Sequence, residues 1–192
     1  MRVSKALYLC SIIGAPILGV IILIVAGIGF ALSPLEGGLP VIGIEAWGLS
    51  LSLFIYALVM ECVLLYKAWK VIQDGSARTS PGKAVGFLFI PFFNLYWIFQ
   101  AFWGFAKDYN AYVQRHHDVS AGGISIPELS VNLFLAYCIL LLVGGLLSAI
   151  PFLGAILQLV YFVLFILVTI KLCDAINNLP ADSGTTSAQQ TS

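Results

Sequence analysis

Between Lys83 and Lys107 the chain runs for 23 residues without a formal charge, yet Pro91 and Asn94 stand inside that run. A straight helix of this length would cross the ~30 Å hydrocarbon core of a bilayer at ~1.5 Å per residue. A proline in its interior removes one intrahelical hydrogen bond and clashes with the turn before it. The stretch from Ser80 to Asn110 therefore either crosses as a kinked helix or enters and returns. That choice fixes the side on which everything after it lies.

The chain as a whole reads as a membrane protein. Hydrophobic residues make up 60% of it and charged residues 9%, against about 25% charged in soluble domains. No basic tract suited to nucleic acid and no acidic tail is present, and the formal net charge is zero. The sequence predicts an all-α integral membrane protein in one helical domain, 1–178, followed by a disordered polar tail, 179–192.

Taken in order, residues 6–32 form the first span. This apolar run is too long for a secretory signal, whose core is about 7–15 residues. Ser11, Ala15 and Gly19 recur every four residues on one face, where small side chains let helices approach closely. After a turn-rich connection, 46–66 reads as the second span. Glu61 lies inside it near the basic end, and a carboxylate at that depth is a functional candidate or a structural partner of a lysine. A polar loop from Gln73 leads to the central segment, 84–106. Lys107 to Ser130 reads as a polar loop, and its adjacent His116 and His117 lack a third residue at metal-ligand spacing. Two spans close the domain, 131–150 with a small face at Gly144 and Ser148, and 154–173 with Gln158 near its outer end. Cys10, Cys62, Cys138 and Cys173 fall in or at the ends of apolar segments without zinc spacing. No metal or cofactor is expected.

A short pattern recurs three times: Leu39-Pro40-Val41-Ile42-Gly43, Ile90-Pro91-Phe92-Phe93-Asn94 and Ile150-Pro151-Phe152-Leu153-Gly154. Each reads as a turn into a helix whose first turn tolerates proline. From the proline, the next lysine of the basic end comes 27, 16 and 20 residues later, at Lys67, Lys107 and Lys171. Sixteen residues cover ~24 Å, short of the core.

Charge asymmetry supplies a second argument, because Lys and Arg collect in cytoplasmic loops. Five spans would put Lys107, Arg115 and Lys171 outside against six basic residues inside. Four spans with 84–106 re-entrant put all nine inside, with both termini cytoplasmic. The sequence thus predicts four spans plus one re-entrant or interfacial segment, with five spans as the alternative. A re-entrant backbone must be shielded from lipid, and Asn94 and Gln100 are the side chains expected to hydrogen-bond it.

Ser80-Pro81-Gly82, Ala84-Val85-Gly86, Pro91 and Asn94, following a helix that ends in a basic run, resemble an uncharacterised bacterial multi-pass membrane family. That family carries a Ser-Pro-Gly-x-Ala-Val-Gly…Pro…Asn signature. Lys83 stands where many members have tryptophan, and no second proline follows Asn94. The resemblance covers 66–110 and implies a bacterial cytoplasmic-membrane location, with no activity attached.

No nucleophile-base pair, zinc motif or phosphate loop is present, so a non-enzymatic role is expected. The leading expectation is an interaction or assembly component, partnered by the bilayer and by a second copy or another membrane protein. The alternative is a small oligomeric channel or transporter lined by Glu61, Pro91, Asn94 and Gln100, with Gln158 as an outer contact.

Overall fold

The computed structural model describes residues 2–32, 41–117, 126–147, 150 and 152–179. Regular structure among them is entirely helical. Six helices follow in order: α1 (5–32), α2 (Val41–Val71), α3 (81–89), α4 (93–117), α5 (Val131–Leu147) and α6 (Leu153–Asn178). Three are long and apolar enough to cross a membrane, within Lys5–Gly29, Glu45–Val71 and Leu153–Asn178. The shorter α5, at 17 residues, covers ~25 Å. The Pro40 turn, Ser148, Pro151 and the tail from Pro180 onward lie outside the described residues, as do the expectations placed on them.

Two compact units divide the chain, 5–63 and the remainder. In the first, α1 is continuous through a π-turn at Cys10–Gly14. Its Gly19 sits against α2: the Ser50 hydroxyl donates to the Gly19 carbonyl at 3.0 Å. A methyl group on Gly19 would lie 3.4 Å from the Ser50 carbonyl oxygen and the Phe54 ring. About two turns towards the start of α1, the Ser11 and Tyr56 hydroxyls are 3.0 Å apart. Such interhelical bonds contribute ~0.6 kcal/mol each in lipid. Elsewhere on these helices Ile17, Ile24, Val25, Trp47, Leu51 and Ile55 are exposed, an outer surface suited to acyl chains.

The second unit is built from two helical hairpins, α3–α4 and α5–α6. Helices α4 and α5 run antiparallel: Phe105 lies by Phe134, Phe102 by Tyr137, and Ile98 by Cys138. Trp69, at the end of α2, is fully buried and meets Phe105 edge-on at 5.6 Å. Large aromatics of this kind dominate core energetics. Residues 107–117, expected as loop, continue α4 instead. The reason is amphipathicity: Tyr109 and Val113 are buried, with Lys107, Gln114 and Arg115 on the outer side. His116 closes the helix by stacking on Tyr112 and bonding its carbonyl at 2.9 Å.

Both hairpins turn on the same backbone device. Among the described residues, Phe92 and Phe152 are the two non-glycine residues with positive φ, at 63° and 62°. At Phe92 the Phe93 N–H reaches back to the Pro91 carbonyl at 2.7 Å, which makes a γ-turn of the rare, strained hand. The flanking bonds repeat: Asn94 N–H to Ile90 carbonyl and Gly154 N–H to Ile150 carbonyl, at 3.0 and 2.9 Å. Conformations this sparsely populated cost ~1–3 kcal/mol each.

Two asparagines pin the opposite end. Asn110 donates to the Leu129 carbonyl and accepts from its N–H, at 2.8 and 2.7 Å. Asn177 does the same to Val3, at 2.9 and 2.7 Å.

Candidate functional site: the Pro91 hairpin

The hairpin begins with a cap. The Ser80 hydroxyl accepts from the Lys83 N–H, and Pro81 occupies the first helical turn, where its missing N–H removes nothing. After Gly86 the helix tightens to 3₁₀ over Phe87–Phe89 and stops before Pro91. The descending limb is therefore only nine residues, 81–89, or at most ~18 Å.

The two limbs are joined by an indole. Trp97 Nε1 donates to the Ala84 carbonyl at 3.0 Å, and its ring packs against Phe87 and Phe93 at 4.7 and 5.4 Å. Beyond it, a π-turn at Phe99–Trp103 interrupts α4. A π-turn leaves carbonyls out of register, and here they are met from neighbouring helices. Trp69 Nε1 donates to the Ala101 carbonyl at 3.0 Å, and the Cys138 thiol lies 3.7 Å from the Ile98 carbonyl. Lys107 Nζ stands 3.2 Å over the Trp103 ring, a cation–π contact.

The mouth of the hairpin is latched by charge. Asp108 accepts from the Arg78 backbone N–H at 3.0 Å and from its guanidinium at 2.8 and 2.6 Å. Arg115 reaches Asp74 at 3.1 and 2.7 Å. Gln73 donates to the Trp69 and Thr79 carbonyls, so the loop 72–80 is held along its length. Partial burial works against the charge on Asp74, but hydrogen bonds from Arg115 and the Ser76 N–H outweigh it and hold the carboxyl below its ordinary value. A lowered folded value stabilises the latch above pH ~4 and is lost as pH falls through it. The pair is surface-exposed, so the contribution is under ~1 kcal/mol. Acidification below pH ~4 should lower the thermal midpoint of the wild type by more than that of Asp74→Asn. Nearby, burial pushes the Tyr109 phenol up to about 12, with the Asp174 carboxylate adding to the shift.

Pro91, Asn94 and Gln100 thus share one hairpin, but the polar pair does not bond the turn. Gln100 donates to the Tyr96 hydroxyl at 2.7 Å. The half-buried Asn94 amide makes no hydrogen bond among the described residues. The shielding donors are Trp97, Trp69 and Cys138, which sequence reasoning missed; indoles in an aromatic-rich segment read equally well as interfacial anchors. Glu61 belongs to the other unit, half-buried and not a free carboxylate. Gln158 is exposed on α6. Gly144 is buried on α5, yet a methyl there would meet nothing within 4 Å. Ser11, Ala15 and Gly19 lie in α1. Among the described residues no group of three His, Cys, Asp or Glu could hold a metal ion. Compared with known proteins, the chain matches no family model, no curated protein and no solved structure.

Proposed function

We propose that this is an interaction or assembly component of a membrane protein complex, docking through the side of the Pro91 hairpin. The observation that carries the reading is a division of labour within the hairpin. Its backbone is satisfied from inside the chain by Trp97 and Trp69, while Phe89, Ile90, Leu95 and Tyr96 stand exposed around the turn. An apolar projection whose Ala84 and Ala101 carbonyls are met internally suits contact with another apolar surface.

The hairpin is re-entrant in this reading, within a bacterial cytoplasmic membrane as the Ser80–Asn94 signature implies. Two features support it. Extending the α4–α5 register from Ile98 sets Phe93 beside residue ~143 of α5, several residues before that helix ends. In addition, the Val3–Asn177 bonds bring residue 3 to the end of α6, which supports an even span count. A photo-crosslinker at Phe89 or Tyr96 tests the docking role. A discrete adduct with a second membrane protein is expected; adducts with lipid alone sink it.

A channel is the second reading, favoured by the unengaged amide of Asn94 near the turn. It requires ion flux in liposomes that Asn94→Leu abolishes in a folded protein.

A further inference from the structure

Helices α4, α5 and α6 meet at an aromatic triad. Tyr137 of α5 packs against Phe102 of α4 at 5.1 Å and stacks with Phe165 of α6 at 6.3 Å. About seven residues along an α-helix return to nearly the same face, two turns further on. From Tyr137 that step reaches Gly144, and back from Phe165 it reaches Gln158. The step back from Phe102 crosses the π-turn of α4, which takes up about one extra residue, and so reaches Asn94. Since α5 runs antiparallel to both neighbours, the three steps lead the same way. They end at one level, ~11 Å from the triad.

Three observations meet there. The Asn94 and Gln158 carboxamides, half-buried and exposed respectively, hydrogen-bond nothing among the described residues. Gly144 is buried, yet a methyl group on it would meet nothing within 4 Å. No formal charge occurs within 84–106 or 131–170. An amide left unpaired in apolar surroundings is unfavourable, and each carboxamide offers both donors and an acceptor.

We propose that Asn94, Gly144 and Gln158 form a recess that binds a small uncharged solute carrying a donor and an acceptor, of the primary-amide kind. The two carboxamides hold its polar end, and the space at Gly144 takes a methyl-sized group. A charged solute would lose its hydration there without meeting a counter-charge. The inference needs neither the docking role of the Pro91 hairpin nor ion flux. Adducts with lipid alone at Phe89 or Tyr96 would leave it standing.

The test uses the full chain in nanodiscs of phosphatidylethanolamine and phosphatidylglycerol, isotopically labelled in its asparagine and glutamine side chains for magnetic resonance. Acetamide is titrated in, with acetate as its charged counterpart of the same shape. Asn94→Leu and Gln158→Leu assign the two side-chain signals. Both signals are expected to shift with a single dissociation constant, and several-fold further than that of Asn132, exposed at the start of α5. Acetate should move neither. Gly144→Leu, which fills the recess, should abolish both responses, and Asn94→Leu should reduce the response at Gln158 several-fold. Unequal constants at the two positions, an equal response to acetate, or no response at either would overturn the proposal. Should Gly144→Leu fail to fold, an undiminished response at Gln158 in Asn94→Leu would overturn it as well, because the two amides would then act separately.

Discussion

Trp69→Ala should be the most damaging single substitution in the second unit, costing ~3–5 kcal/mol in a reversible unfolding assay in detergent. Trp69 is fully buried and makes two separable contributions. Its ring packs edge-on to Phe105, and its Nε1 donates to the Ala101 carbonyl inside the π-turn. Trp69→Phe separates them: it keeps most of the apolar volume and removes the donor. An unsatisfied buried carbonyl costs ~1–3 kcal/mol, so the phenylalanine variant should fall between wild type and alanine. Equal stability of Trp69→Phe and wild type would mean that the π-turn carbonyl needs no partner, and that α4 can revert to regular helix.

Asn110→Ala should lose ~2–3 kcal/mol, because it strands both a donor and an acceptor at Leu129. The asparagine fills the role of a neighbouring strand, accepting from one backbone N–H while donating to the carbonyl of the same residue. Asn110→Asp discriminates this from general packing loss. The aspartate still accepts from the Leu129 N–H but cannot donate to its carbonyl, and it brings two acceptors face to face. A variant as stable as wild type would remove the clamp as a determinant of the α4–α5 connection. Protease sensitivity of that connection, measured beside the unfolding midpoint, reports the same loss locally.

These two side chains show what could be read from the chain in advance and what could not. The apolar runs of α1, α2 and α6 were legible because bilayer thickness converts length directly into a span. The break at Pro91 was legible because proline acts on the backbone locally, and the shared Ile-Pro-Phe turn emerged from the same local rule. The continuation of α4 to His117 was not, since its amphipathic face has meaning only once Tyr109 and Val113 have a core to enter. The indole donors were also hidden. Trp69 precedes Ala101 by 32 residues and Trp97 follows Ala84 by 13, and no local rule links those positions. Asn94 and Gln100 drew notice because they are polar in an apolar stretch, yet the carbonyls were met by aromatic residues that look apolar in a sequence.

The Val3–Asn177 pair joins positions 174 apart in the chain. During biosynthesis Val3 is made early, but its partner does not exist until α6 has been translated and has left the ribosome. Non-local contacts of this kind form late because loop closure must come first. The two hydrogen bonds at Val3 are therefore absent until α6 has been made. Their formation reports that α6 has come back to residue 3, so a factor that binds the Val3 backbone N–H or carbonyl meets both groups open only before α6 is in place.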